Sequence, residues 1–230
     1  MSLISAILVA AGRGTRMGPN VDKLFLEVAG KPVIAHTWAR LNALPEIDEI
    51  ILVIREEMRA DFDKIAVTHN FEKKFRYAIG GAERQDSVWN GLNQISDQAE
   101  IVAIQDGARP CTVPKLFTDC IAAAREVGAS VAAQKVTDTL KEADEQKRIA
   151  RNVDRSKLWA VQTPQVFRPA IIRKALAEVF SRGLVLTDDT AACELIGQPV
   201  ALVESDSPNP KVTTPADLPF VELLLRTGRL

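Results

Sequence analysis

Five stretches of this chain are apolar without alternation: residues 4–10, 50–54, 101–104, 130–133 and 200–203. A strand with one wet face alternates polar and apolar side chains, whereas a strand covered on both faces has no need to. These runs therefore point to a sheet buried between two layers. Helical patterns lie between them. Val33, Ile34, Trp38 and Leu41 share one face at helical spacing, as do Val88, Leu92 and Ile95, and Pro114 opens an amphipathic stretch over 116–127. Strand and helix alternate, which predicts an α/β fold: a Rossmann-like, mostly parallel, twisted sheet with helices on both faces. At 230 residues, 47% of them hydrophobic, the chain has material for one large core, so residues 1–230 are expected to form one domain closed by a helix over 215–225.

Residues 136–155 break the rhythm. The segments 136–140 and 149–152 are β-prone and flank the charged stretch 141–148, which predicts a β-hairpin arm. An arm that leaves its own core needs something to grip. A second copy of the chain is the simplest partner, and a homodimer is expected.

Charge narrows the function. Lys and Arg number 29 against 30 Asp and Glu, a net charge of -1, so no global basic field gathers nucleic acid or anionic lipid. Any anion site must be local. No apolar stretch reaches the length of a membrane span, and the N-terminus lacks the basic segment of a signal peptide. Cys111, Cys120 and Cys193 are odd in number and form no metal-binding spacing, which places the chain in a reducing cytoplasm.

The run over 4–10 leads into Ala11-Gly12-Arg13-Gly14-Thr15-Arg16-Met17-Gly18. Small residues after a first strand let backbone N–H groups approach phosphate oxygens, and Arg13 and Arg16 add positive charge. The third glycine falls one residue late for a dinucleotide fingerprint, and the phosphate loop of P-loop NTPases is absent, so hydride transfer and P-loop chemistry are both disfavoured. Lys23 follows closely enough to reach an α-phosphate, although read alone it is a surface lysine. Asp106 and Arg109 follow the run over 101–104, at the sheet edge where open α/β folds place ligands; there a carboxylate can ligate Mg²⁺ and an arginine can bind phosphate. Read alone, the two serve equally well as a salt bridge between loop neighbours.

The loop resembles the L-A-A-G-x-G-x-R-M signature of sugar nucleotidyltransferases. Seven later segments narrow the likeness to the 2-C-methyl-D-erythritol 4-phosphate cytidylyltransferase family: 80–88 (GGAERQDSV), 106–110 (DGARP), 138–141 (DTLK), 155–159 (RSKLW), 162–165 (QTPQ), 187–189 (TDD) and 211–213 (KVT). The resemblance covers nearly the whole chain in family order. It implies transfer of CMP from CTP to methylerythritol phosphate with release of pyrophosphate, in a Mg²⁺-dependent homodimer joined by the 136–155 arm. The same chemistry on ribitol 5-phosphate, or an inactive nucleotide-binding module, are the alternatives.

Under that resemblance Arg16, Lys23 and Lys211 are catalytic. The nucleotide is held by Ala10, Ala11, Gly12, Arg13, Gly14, Gly81, Ser87 and Asp106. The acceptor is held by Asp106, Arg109, Thr139, Arg155, Thr163, Thr187 and Lys211, with Thr139 and Arg155 delivered across the dimer. Asp106 is a minor ligand for a Mg²⁺ carried mainly by the triphosphate. Without the resemblance, Asp86 or Ser87 reads as a helix N-cap. Two departures stand out: Asp22-Lys23-Leu24-Phe25 where Pro-Lys-Gln is usual, and Gln105 where His is common.

Overall fold

Each buried strand feeds both faces of one sheet, which is why its sequence does not alternate. In strand β1 (Leu3–Val9), Ile4, Ala6 and Leu8 enter one hydrophobic cluster while Ile7 enters the other. A computed structural model describes residues 3–12, 14 and 22–228. After β1 come a short ribbon, β2 (Glu27–Val28) and β3 (Lys31–Pro32), helix α1 (Val33–Ala43), strand β4 (Glu49–Ile54), helix α2 (Arg59–Thr68) and strand β5 (Phe75–Ile79). Helix α3 (Arg84–Leu92) leads to β6 (Ala99–Asp106), and α4 (Pro114–Val127) leads to β7 (Ala129–Lys135). A hairpin of β8 (Lys141–Ala143) and β9 (Ile149–Asn152) precedes β10 (Trp159–Phe167), α5 (Pro169–Ser181), α6 (Asp189–Leu195), β11 (Ala201–Glu204) and α7 (Leu218–Thr227).

The main sheet has the order β11-β7-β10-β6-β1-β4-β5. All its pairings are parallel except those of β10, which runs against both β6 and β7. One layer packs Trp38 of α1, Phe62 of α2, Phe117 of α4 and Val221 of α7; the opposite layer packs Val88 of α3, Ile172 and Leu176 of α5, and Cys193 of α6. The expected α/β sheet with helices on both faces is present. Because the chain moves from β1 outward to β4 and β5, then returns through α3 to β6 on β1's other side, the strand order switches at β1. Such a switch opens a crevice at the carboxyl ends of the strands.

Some boundaries differ from expectation. The charged stretch over 141–148 is itself part strand: β8 begins at Lys141, and residues 136–140 precede it. In a hairpin exposed on both faces, as every residue of β8 and β9 is, charges cost nothing and hydrophobicity gives no signal. Strands β5 and β10 lie outside the five apolar runs. The final helix starts at Leu218 after a short 3₁₀ turn, Pro215–Asp217, and continues through Thr227. Among the described residues, no helix is long and apolar enough to cross a membrane.

Cys111, Cys120 and Cys193 are all unpaired and buried, and burial pushes their thiols up to about 11, 12 and 12 respectively. A thiol-specific chromogenic reagent at pH 8 is therefore expected to label essentially none of them in the native protein and all of them in denaturant. Rapid native labelling would contradict this packing.

Candidate active site

A cleft of about 710 Å³ opens at the switch point, lined by the residues that end four parallel strands: Val9 and Ala10 after β1, Arg55 after β4, Ile79 to Gly81 after β5, and Asp106 to Ala108 at β6. Ala11, Gly12, Lys23, Ser87 and Lys211 complete the expected residues along its walls. Residues from positions 9 to 211 thus meet in one place although the chain separates them widely.

The glycine loop forms one wall. Gly14 has φ +60, and a Cβ there would lie 3.3 Å from the Cδ and Cγ atoms of Lys23, so the loop rests on the stem of that lysine. The Lys23 ammonium donates to the Val212 carbonyl at 2.8 Å. Val212 in turn donates its N–H to the Ala108 carbonyl at 2.8 Å, which ties the Lys211 segment to the loop after β6. Gly80 packs so closely on the loop that a Cβ would meet that of Ala11 at 2.2 Å. Arg13 and Arg16 lie outside the described residues.

Asp106 is the electrostatic centre. Its carboxylate faces Lys211 Nζ at 2.8 Å, Arg84 Nε at 3.5 Å and Arg109 Nε at 3.5 Å. It is 7% exposed, and burial alone would raise its pKa, but Arg84, Lys211 and Arg109 together hold the carboxyl well below the ordinary value of 3.8. Arg84 also donates to Asp189 Oδ2 at 2.7 Å; burial opposes its charge, yet Asp189 and Asp106 raise its pKa and keep it ionised. Among the described residues, no three His, Cys, Asp or Glu side chains group into a metal cage. A lone carboxylate is still a fitting donor for a magnesium ion that keeps most of its ligands on substrate phosphates.

On the opposite wall, the Gly81 N–H donates to Ser87 Oγ at 3.0 Å, and that hydroxyl donates to the Glu83 carbonyl at 3.2 Å. The N-cap of α3 is Glu83, whose N–H is received by Asp86 Oδ2 at 2.9 Å, three residues into the capping motif. Asp86 is therefore the reciprocal partner of the cap, and Ser87 lies inside the helix with its hydroxyl at the cleft.

The expected acceptor residues divide. Thr163 is 2% exposed and accepts the Asp106 N–H at 3.1 Å, so it fixes the backbone beneath the carboxylate. Arg109 is buried beside it and donates to the Asn209 carbonyl at 2.7 Å. Thr187 lies exposed just before α6. Thr139 and Arg155 flank the exposed hairpin, Arg155 donating to the Thr137 carbonyl, and neither lines the cleft of its own chain.

Three residues escaped the sequence reading. Arg84 stands within the 80–88 segment, and its neighbours with special backbone roles drew attention away from it. Asn209, 3% exposed, accepts from Thr112 Oγ1 at 2.8 Å and donates to Gln162 Oε1 at 3.0 Å and the Thr163 carbonyl at 2.9 Å. No sequence signal marks it. Arg55 donates to the Ala11 and Gly12 carbonyls and to Asp22, and as a charge at a strand end it too reads as surface.

A profile of the 2-C-methyl-D-erythritol 4-phosphate cytidylyltransferase family (IspD) matches residues 4–227. The chain is 42% identical over 224 residues to the 2-C-methyl-D-erythritol 4-phosphate cytidylyltransferase of Caldanaerobacter subterraneus subsp. tengcongensis, covering 97% of this chain and 99% of that one. With the Bacillus velezensis enzyme of the same name it shares 41% over 221 residues, covering 96% and 94%. The crystal structure of 4-diphosphocytidyl-2C-methyl-D-erythritol synthase from Anaerococcus prevotii superposes with a TM-score of 0.87 at 32% identity, covering 98% of this chain and 96% of that one.

The Asp106 cluster carries a pH signature. Because the folded pKa lies below the unfolded one, ionised Asp106 stabilises the fold above pH 3.8, and that contribution is lost as pH falls through the folded value. Asp106→Asn is expected to cost about 3 kcal/mol in urea unfolding at pH 7, where Lys211 and Arg109 lose their carboxylate and Arg84 keeps Asp189 alone, and to weaken the acid-side dependence of stability. Equal stability of the two proteins at pH 7 would show that the cluster contributes no net stabilisation.

Proposed function

Since this chain belongs to the 2-C-methyl-D-erythritol 4-phosphate cytidylyltransferase family, we propose how its cleft carries out that family's reaction. The enzyme transfers CMP from CTP to 2-C-methyl-D-erythritol 4-phosphate, giving 4-diphosphocytidyl-2-C-methyl-D-erythritol and pyrophosphate. The glycine loop, residues 10–14 with Arg16, holds the triphosphate; Gly81 and Ser87 read cytosine through short directional hydrogen bonds. The observation that carries this reading is the convergence of Lys23 and Lys211, from opposite ends of the chain, on one cleft.

An oxygen of the acceptor's phosphate attacks the α-phosphorus of CTP in line. A new P–O bond forms as the bond to the bridging oxygen breaks, and pyrophosphate leaves with that electron pair. No general base is needed, because the second pKa of a phosphate monoester lies near 6 and the nucleophile is already ionised at neutral pH. His36, which bonds the Val28 carbonyl, and His69 do not line the cleft. Lys23, Lys211 and Arg16 stabilise charge on the pentacoordinate phosphorus. Lys211, 37% exposed and resting on Asp106, needs only a side-chain swing to share its charge between that carboxylate and a phosphate. A bound Mg²⁺ would neutralise phosphate oxygens and orient the pyrophosphate leaving group, with Asp106 as its protein contact.

Asp106, Arg109, Thr163, Thr187 and Lys211 form the acceptor side. The family resemblance assigns Thr139 and Arg155 to the acceptor site of a second copy, and their places on either side of the exposed hairpin, away from their own cleft, suit that reading. Residues 1–230 are taken as one domain whose 136–155 excursion joins a homodimer; exposed Ile149 on β9 suits that contact. Unpaired buried cysteines support a reducing cytoplasm.

A panel of the four nucleoside triphosphates against methylerythritol phosphate and ribitol 5-phosphate, read by pyrophosphate release, is expected to give turnover chiefly with CTP and methylerythritol phosphate. Comparable rates on ribitol 5-phosphate would move the acceptor assignment, and tight CTP binding without turnover would mark an inactive module. Lys23→Ala and Lys211→Ala are expected to lower kcat by about a hundredfold or more with circular dichroism unchanged. Near-normal turnover in both would remove them from the mechanism. Arg155→Ala is expected to raise the acceptor KM by roughly tenfold, the loss of one charged phosphate contact, and an unchanged KM would contradict its placement.

A further inference from the structure

Among the described residues, Ala11, Gly12 and the turn over 22–25 that carries Lys23 lie outside the helices and main-sheet strands, and a side chain bridges the two segments. Arg55, the first residue after β4, supplies it. Its Nη1 donates to the Ala11 carbonyl at 3.2 Å and the Gly12 carbonyl at 3.3 Å, while its Nη2 donates to Asp22 Oδ2 at 2.6 Å. Asp22 uses its other oxygen to receive the Leu24 N–H at 3.0 Å, and its carbonyl receives the Phe25 N–H at 3.1 Å. The carboxylate that Arg55 grips is thus the one around which the Lys23 turn is wound.

We propose that Arg55 is a positioning residue for the nucleoside triphosphate: one guanidinium locks the glycine loop and the Lys23 turn into a single phosphate cradle. The inference rests on the reading of that loop and Lys23 as the triphosphate site. In a trans peptide the C=O and N–H point in opposite directions. Fixing the Ala11 carbonyl toward Arg55 therefore fixes the Gly12 N–H away from it, as a donor of set direction. The charge of Arg55 is already matched by Asp22 and by Glu57 Oε1, 3.1 Å from Nε, which suits a strut better than a direct phosphate ligand. A planar fork can hold carbonyls along one edge and a carboxylate along another, whereas the compact ammonium of lysine cannot span both.

Steady-state kinetics with CTP and methylerythritol phosphate test this on Arg55→Gln, Arg55→Lys, Asp22→Asn and the Asp22→Asn/Arg55→Gln double variant, with Lys23→Ala as control. Arg55→Gln is expected to lower kcat/KM for CTP by about tenfold or more, a cost in line with misplaced binding groups. The acceptor KM and Tm should stay near wild type. Arg55→Lys should fail to restore CTP use, and the double variant should lose less than the product of the two single losses. CTP kinetics unchanged in Arg55→Gln, rescue by lysine, fully multiplicative losses, or an equal rise in acceptor KM would each overturn the proposal. Should Arg55→Gln fold poorly, Asp22→Asn leaves the arginine in place and carries the same comparison. Full turnover by Lys23→Ala would instead sink the triphosphate reading itself, whatever Arg55 does.

Discussion

The fold around the cleft depends on the charge of Asp106. A carboxylate taken out of water at the end of β6 is tolerable only with cations around it. Those cations come from the first turn of α3, from the loop after β6 and from the segment before α7. Two elements remote in sequence, the start of α3 and the segment before α7, must therefore dock before the charge is satisfied. The same arrangement gathers three cations around one carboxylate at the cleft, with Arg84 shared with Asp189. In a chain of net charge -1, the anion site proposed for this cleft rests on that local cluster and not on a global field.

The architecture was largely legible because burial on both faces removes alternation from a strand, and β1, β4, β6 and β7 carry that mark. The apolar run over 200–203 instead forms edge strand β11, with Leu202 and Glu204 exposed, and β5 at the other edge shows no such run, with half-buried Phe75, Arg76 and Tyr77. Strand β10 hides for another reason. Gln162, Thr163, Pro164 and Gln165 interrupt its apolar ends, and the register against β7 shifts between Val161 and Gln165, where the strand carries its polar contacts to Asp106 and Asn209. Polar residues that make these contacts sit in the middle of the strand, and hydrophobic pattern cannot read through them.

The site divides along similar lines. Residues that act through backbone geometry near a strand end, such as Gly12, Gly14 and Gly81, stand out locally, and with the later motifs they led to the cleft. Asn209 and Arg55 act only through tertiary contact. An asparagine between two prolines reads as a turn, and an arginine after a buried strand reads as solvated; only folding brings the partners that make either one a structural tie.

One buried residue fixes how the two lysines stand to each other. Val212, fully buried, gives its N–H to Ala108 and its carbonyl to Lys23, while Lys211 beside it leans on Asp106. The two peptides on either side of Val212 thus tie Lys23 and the Lys211 segment to the loop after β6. In the proposed reaction Lys23, held at the cleft before a ligand arrives, needs little rearrangement as charge develops on phosphorus, and stabilisation of that kind lowers a barrier in place of merely tightening binding. The hydrophobic side chain of Val212 supplies the rigidity: its burial makes the segment part of the core, and the cations inherit the core's order.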